Sequence, residues 1–540
     1  MVTNGESSGK ISTIDVRTED ADETADIEKA ISTAGYGTFN VLLLLAALPV
    51  AWAGIFDTTT TAFVIASAEC DLGELTYFRK GVLCASPFLG MALTSFVWDH
   101  LTPHVGMRNL FILGLLADSI LNLLASAVDS YYAFLAIKFL NGVLAGGPLS
   151  MVSTYLSEFH SPSYKARFTR WAGLAMNAAI IIPAVLAFIV IPLSLTINVF
   201  NHRYTTWRIY LLICTIVPVV GLVTASTLPQ SPKFLVENGR PDEALRLVRR
   251  MYSINKRKPA NTFPIKALLV WENGPSSRRS VFKTHSEKIR VACYNTKLLF
   301  SSPYSRAFAS LNFLQFGSML GFNTMRLWVP HLFIILNNFD DERWTKGRSP
   351  TMREMLDRRN GVPARDYLDC PNFDNICMTW KINAVIYQNS AVIALSTVVF
   401  SFLAGFITTS KFRKKAIMLA AFLVSVISSF GMNWAQSPPY MLTLASAIIV
   451  TTRITGNIVT AVNIDVIPIP LRSTSLNVLV TVGNVAAVLG NFIFSALLDV
   501  ECLVGFMGIG CLLFACFCLS LFHPRSVKNH QEKNHSISNA

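Results

Sequence analysis

Four ionisable residues sit where ionisable residues are costly. Asp57, Lys138, Arg326 and Arg453 each fall inside a mainly apolar run long enough to cross a bilayer. A charge at the centre of such a run costs about 2.5–3.5 kcal/mol on insertion scales. Residues kept at that cost hold a charged ligand, carry a proton, or fix helix registry as buried ion pairs. Asp118 lies in a further run. One negative charge (Asp57) and three positive ones (Lys138, Arg326, Arg453) sum to a net formal charge of +2. An organic anion would relieve that imbalance, as would a zwitterion whose carboxylate meets Arg453 and whose cationic end meets Asp57. A simple organic cation would not. Read instead as internal pairs, with Asp57 and Asp118 neutralising Lys138 and an arginine, the same residues leave a nearly uncharged site for a neutral solute.

Covalent chemistry is not written in the chain. No nucleophile–base set, nucleotide-binding fingerprint or repeated CxxC pair at zinc spacing stands out. The expectation is a protein that is not an enzyme, holds no metal and implies no cofactor. Any movement of solute would then be driven by gradients rather than ATP, and an Asp57 that loses and regains a proton would suit proton coupling.

The elements that position these residues follow from composition. The chain is 52% hydrophobic and only 15% charged, with a mean hydropathy of +0.44, against about 25% charged residues in soluble domains. Its main solvent is a lipid bilayer. Spans of about 20 apolar residues are expected near 40–65, 80–100, 109–127, 131–155, 172–193 and 207–228, then near 308–336, 383–407, 416–433, 441–464, 474–497 and 502–522. That is six, a long polar gap, and six, in an all-α membrane protein. The acidic, Ser/Thr-rich start to about residue 36 reads as a disordered tail rather than a signal peptide. The organisation expected is a tail over 1–36, a helix bundle over 37–228, a central loop with an amphipathic helix over 229–306, a second bundle over 307–522 holding a loop at 337–380, and a tail over 523–540.

Lys and Arg near span ends set orientation. Arg108, Lys165, Arg167, Arg170, Lys411, Arg413, Lys414, Lys415 and Arg472 fall on one side, as does the basic 229–306 segment. Both termini are therefore expected in the cytoplasm, and the net charge of +13 belongs to membrane topology rather than to nucleic acid, for which no recognition motif is present. Glu158, Arg167 and Arg170 on one side, with Lys233, Asp465 and Arg472 on the other, are candidates for ion pairs at a cytoplasmic gate, to which Arg108 also belongs; loose surface pairs are the plainer alternative. Gly142, Gly146 and Gly147 permit close helix contact. Cys370 and Cys377 fall in the outer loop, an oxidising compartment where they can bridge, with Cys70 a competing partner.

The motifs carry a resemblance. "LPQSPKFLVENGRPDEAL" (Leu228–Leu245) resembles the sugar-porter-type Pro-Glu-Ser-Pro-Arg seam of the major facilitator superfamily, with Gln230 for Glu and Lys233 for Arg. "KFLNGVLAGGPLSMVSTYLSEF" (Lys138–Phe159) resembles its fourth-span pattern ending in Tyr-x-x-Glu, and "DVIPIPLR" (Asp465–Arg472) the second-half counterpart. "FVIASAECDL" (Phe63–Leu72), "KGVL" (Lys80–Leu83) and "LWVPHLF" (Leu327–Phe333) are similar to the synaptic vesicle glycoprotein 2 and related-protein branch. The resemblance covers about residues 36–525. It implies the major facilitator fold, with twelve transmembrane helices in two pseudo-symmetric six-helix bundles. Spans one, four, seven and ten, which carry the four charges, would line a central cavity.

It further implies secondary active transport of a small organic solute by alternating access, an organic ion being favoured, in the plasma membrane or an intracellular vesicle. The alternative is a transporter-shaped receptor or scaffold without flux. "WDHLTPHVGMRN" (Trp98–Asn109) has Pro103 at the position of the superfamily's loop Asp and Met107 at an Arg. "FITTSKFRKK" (Phe406–Lys415) has Thr409 for Asp and Phe412 for Gly. In the family that Asp pairs across the cytoplasmic seam, so the seam is expected to be weaker here. Oligomeric state is left open.

Overall fold

Apolar runs in lipid have one way to satisfy their backbone, which is to bond it within the run as a helix. The computed structural model, which describes residues 24–268, 294–337 and 384–522 apart from positions 74, 194, 200, 201, 295, 303, 409 and 501, and also Thr351, follows that rule. Among the described residues, twelve helices are long and apolar enough to span a membrane. Six precede the central segment: α2 (Thr38–Leu72), α3 (Tyr77–Val105), α4 (Met107–Ala127), α5 (Tyr131–Ser157), the pair α6 (Pro162–Asn177) and α7 (Ile181–Val190) joined by a 3-10 turn, and α8 (Thr206–Thr227). Six follow it: α11 (Ser305–Asn337), α12 (Ala384–Ile407), α13 (Lys411–Gly431), α14 (Pro438–Val466), α15 (Ile469–Val500) and α16 (Cys502–Phe522). These are the twelve spans expected from the sequence. The outer loop, with Cys370 and Cys377, lies outside the described residues, as do Cys70's side chain and positions 269–293 of the central segment.

Large apolar side chains such as Leu93, Val223 and Ile427 are about three-fifths exposed to anything that is not protein. In water that would be a liability; on a membrane span it is the lipid-facing surface. α11 is the exception, with 89% of its apolar window buried against 28% for α12. The helix carrying Arg326 is therefore enclosed by protein. One core cluster runs through both halves, from Phe56 on α2 to Phe494 on α15 and Cys516 on α16. The halves meet along α3 and α15, where Phe78 and Phe492 pack edge to face at 5.1 Å. They meet again where α7 lies against α12.

The chain divides into two compact units. The larger holds Leu44–Thr154, Thr169–Leu228 and Thr284–Ala540, and so the helices just described over most of their length. The smaller holds Met1–Leu43, Tyr155–Phe168 and Pro229–Lys283. In it, strand β1 (Thr24–Ala25) pairs in parallel with β4 (Ala267–Leu268); β2 (Ile197–Val199) and β3 (His202–Tyr204) form a hairpin in the larger unit. Residues 24–36, expected to be a disordered tail, include helix α1 (Ile27–Ala34), capped by Asp26 and burying Ala30, Ile31 and Ala34 against α10 (Pro241–Lys256). The physical reason is an amphipathic spacing of three and four inside a segment whose overall acidity hides it. Asn255 of α10 fastens the junction: its amide donates to Gly35 O (2.8 Å) and Asn40 Oδ1 (3.0 Å) and accepts from Phe39 N (2.9 Å).

The Pro-Gln-Ser-Pro knot also finds its partners in this unit. Tyr155 Oη donates to Pro229 O (2.7 Å), and Ser231 donates to the Glu158 carboxylate while capping α9 (Pro232–Glu237). The two halves of the family motif, Tyr-x-x-Glu and the knot, thus hold each other.

Candidate functional site

Proline shapes the site before any charge does. Pro330 lies inside α11 and has no N–H, so the carbonyl four residues back, that of Arg326, loses its helical partner. The α11 ladder is broken beside the charged residue it must present. Arg326 Nη1 donates to Thr59 Oγ1 on α2 (2.8 Å) and Nη2 to Asn323 Oδ1 (3.3 Å). On α14, Arg453 Nη2 donates to Asn177 Oδ1 at the end of α6. The two guanidiniums approach the same ring: Arg326 lies 5.3 Å and Arg453 5.0 Å from the centroid of Phe322. A ring face attracts cations, by about 0.5–2 kcal/mol depending on desolvation, and so tolerates two like charges that would otherwise repel. Both Nε–H groups are buried without a hydrogen-bond partner. An unsatisfied buried donor of this kind costs about 1–3 kcal/mol, more when charged.

Arg326 opens onto a cavity lined by α2, the turn into α7, α7 itself, α11, α12 and α14, including Thr59, Phe63, Phe322, Ser390 and Ile393. The enclosed space is small, and the ≈ 380 Å³ there counts the open mouth with it.

Asp57 and Lys138 go elsewhere. Both are buried, with Asp118, among α2, α4 and α5. Asn122 joins them: its Nδ2 donates to Asp57 Oδ1 (2.9 Å) and Asp118 Oδ2 (3.3 Å), and its Oδ1 accepts from Lys138 Nζ (3.3 Å). Asn141 Nδ2 donates to the other Asp118 oxygen (2.7 Å). Two carboxyls and one ammonium give this network a formal charge of −1 when both acids are ionised, and 0 when one takes a proton. The expected four-residue constellation is thus two separate ones, an acidic network in the first half and an arginine pair beside the cavity. Asp57 is not among the cavity-lining residues.

The expected gate residues also disperse. Arg108 Nη2 donates to Ser226 O (2.6 Å), tying α4 to α8 within one half. Lys233 pairs loosely with Glu237, its neighbour one turn on, at 3.9 Å with both side chains exposed. Asp465 pairs with Lys414 (2.7 Å) within the second half. Arg472 is half-buried with an unpartnered Nε, and the Arg167 and Arg170 side chains lie outside the described residues. Among the described residues, the halves are joined at that end by Asp99 of α3, whose carboxylate accepts from Asn477 of α15, and by Trp171, which packs on Phe402 and Phe406 of α12.

Sequence reasoning missed Asp99, and it missed Arg208 as well. Arg208, at the start of α8, binds Asp129 and lies 3.5 Å from Asp71, and its guanidinium stacks 4.5 Å from Trp207. Thr205 and Trp207 also donate to Asp71 (2.8 and 2.7 Å). Lys80 pairs with Glu69 at 3.2 Å nearby in sequence. The available signal was acidic residues at one set of span ends facing basic ones at the starts of the next spans.

Comparison with known proteins bears on this architecture. A family described as "Sugar (and other) transporter" matches residues 31–274. Synaptic vesicle glycoprotein 2B of Rattus norvegicus is 28% identical over 245 residues, 45% of this chain and 36% of that protein. Synaptic vesicle glycoprotein 2A of Homo sapiens is 28% identical over 244 residues, 45% of this chain and 33% of that one. The match thus spans about a third of the length of these curated relatives. Among solved structures, a partially occluded inward-open conformation of the xylose transporter XylE from E. coli superposes with a TM-score of 0.63 at 12% identity, covering 90% of this chain and 100% of that one.

Proposed function

We propose that the chain, which matches a "Sugar (and other) transporter" family over residues 31–274 and shares the fold of XylE, belongs to the major facilitator superfamily and is a secondary active transporter moving a small organic ion, an anion above all, by alternating access. The observation that carries this is the arginine pair, Arg326 and Arg453, on one phenyl ring beside a cavity, with two guanidinium N–H groups left without acceptors. The broken ladder at Pro330 gives α11 a point at which to bend when that site is filled or emptied. The Asp57–Asn122–Asp118–Lys138 network supports proton coupling, since one proton takes it from a formal charge of −1 to 0. Flux into proteoliposomes tests the reading. An organic anion should enter in preference to a permanent organic cation, faster with an imposed proton gradient. No flux for any solute in a broad panel would favour a receptor or scaffold of transporter shape.

The distribution of Lys and Arg further supports both termini, and the 229–306 segment, on the cytoplasmic face of the plasma membrane or a vesicle. A cysteine placed at Ser277 should react with an impermeant maleimide only after the inner face is opened, and one at Ser349 from outside. The reverse pattern would sink the orientation.

A further inference from the structure

The wall of the cavity is specific about where a ligand can be polar. Among the described residues lining it, Arg326 is the single charged one. Three hydroxyls join it, and each spends its proton on its own helix: Thr59 on Ile55 O (2.6 Å), Ser390 on Ile386 O (3.1 Å) and Thr397 on Ile393 O (2.7 Å). Those side chains therefore offer lone pairs and no protons, and Thr59's are already engaged by Arg326. The remaining wall, which includes Phe63, Phe322, Ile393, Ala394 and Ile449, has no polar side chain. Among the described lining residues, free side-chain donor capacity therefore belongs to Arg326 alone, in an otherwise apolar wall.

We infer that the cavity takes a small monoanion with an apolar body, such as an aryl or branched-chain carboxylate, its charged head on Arg326 and its body against the Phe63–Ile393–Ala394–Ile449 wall. Three other classes fit badly. A sugar or polyol presents hydroxyls on every side, and most would face aliphatic carbon with no partner. A zwitterion needs a carboxylate at the far end, yet Asp57 is engaged by Asn122 and does not line the cavity. A permanent cation would meet Arg326 with no counter-charge among the lining residues. The inference rests on the transport reading only in taking this cavity for the solute site.

The test is binding to the full-length protein in nanodiscs, kept apart from flux. Benzoate is the probe, with 4-(aminomethyl)benzoate as zwitterion, benzyltrimethylammonium as cation, and xylose as sugar. Benzoate should raise the melting midpoint saturably, and at equal concentration the other three should shift it little or not at all. Arg326→Gln should weaken benzoate binding at least tenfold, while Arg326→Lys, which keeps the charge and loses the planar fork, should fall between. Should Arg326→Gln fail to fold, the wild-type selectivity decides alone. Stabilisation by xylose, the zwitterion or the cation in place of benzoate would overturn the inference, as would benzoate binding unchanged in Arg326→Gln. Arg326-dependent binding with no uptake in vesicles would leave the site standing and remove the transport reading. Uptake of some solute that benzoate neither displaces nor slows would do the opposite.

Discussion

Arg453→Gln is expected to lower uptake of an organic anion roughly thirtyfold or more, with surface expression close to that of the wild type. Glutamine keeps much of the side-chain length and an amide that can still meet Asn177, so the contact from α14 to α6 has a replacement. What disappears is the charge 5.0 Å from Phe322 and a buried N–H that no protein acceptor meets. Removing one partner of a buried charged pair costs about 2–5 kcal/mol in binding, and about 1.4 kcal/mol is a factor of ten. Arg453→Lys should retain part of the activity, because it keeps the charge and gives up the fork. Asn177→Ala should fall between wild type and Arg453→Gln, since it frees the guanidinium rather than deleting it. Initial-rate uptake in proteoliposomes, normalised to reconstituted protein, reads all three. Wild-type rates in Arg453→Gln would end the charge argument, as would a wild-type protein that prefers a permanent cation.

The spans were legible because each must be about 20 apolar residues long, a constraint strong enough to survive uncertain edges. The charges within them were legible for the same reason. How those charges are grouped was not. Asp57 and Thr59 are two residues apart on α2, about 200° around a helix of 3.6 residues per turn. One meets Asn122 inside the first half and the other meets Arg326. Treating a span as a single point on a cavity wall merges faces that the helix separates. The amides that finish each group, Asn122, Asn141 and Asn177, give no comparable signal, since an uncharged polar residue in a span is far cheaper than a charge.

The seam shows a related failure. Pro103 stands where the family's loop Asp would be, and the sequence alone suggests a lost contact. Asp99 is four residues earlier, one helical turn on the same face, and it is the residue that reaches Asn477. The gate candidates were chosen by charge and by end of span, and most found partners inside their own half. Opposite charges on neighbouring helix ends meet locally at little cost, so proximity within a bundle outcompetes pairing across it. The short helix at Ile27–Ala34 was present in the sequence as spacing and as an Asp26 cap, and composition outweighed it.

The largest effect on folding is expected at Gly142. On α5 it faces Pro87 of α3, and a Cβ built there would overlap the Pro87 carbonyl, lying 2.6 Å from its carbon and 2.7 Å from the Pro87 Cα. From the other side, a Cβ on Gly90 would overlap Phe139 O and lie 2.6 Å from Val143 N. The two helices are therefore in backbone contact, reciprocally, at a point where each has glycine. Real Cβ atoms do not approach within 3.0 Å of such atoms, and a backbone cannot rotate away as a long side chain can. Gly142→Ala must push α3 and α5 apart, and Gly142→Val must do so further. Overpacking costs about 1–3 kcal/mol and occasionally more; a clash with backbone on both sides belongs at the upper end, and so exceeds the roughly 1 kcal/mol that Gly→Ala returns in helix propensity. The displacement also reaches Trp98, whose indole N–H donates to Val143 O (2.8 Å) one residue beyond Gly142, and Lys138 one turn before it. Gly173 is the control, because nothing lies within 4 Å of its would-be Cβ. In detergent, Gly173→Ala should run as a single size-exclusion peak and melt at or slightly above the wild-type temperature. Gly142→Ala should melt several degrees lower, and Gly142→Val should give little monodisperse protein. A Gly142→Ala midpoint equal to that of Gly173→Ala would mean that the two helices are not in backbone contact, and that the charged network built on α5 is positioned by something else.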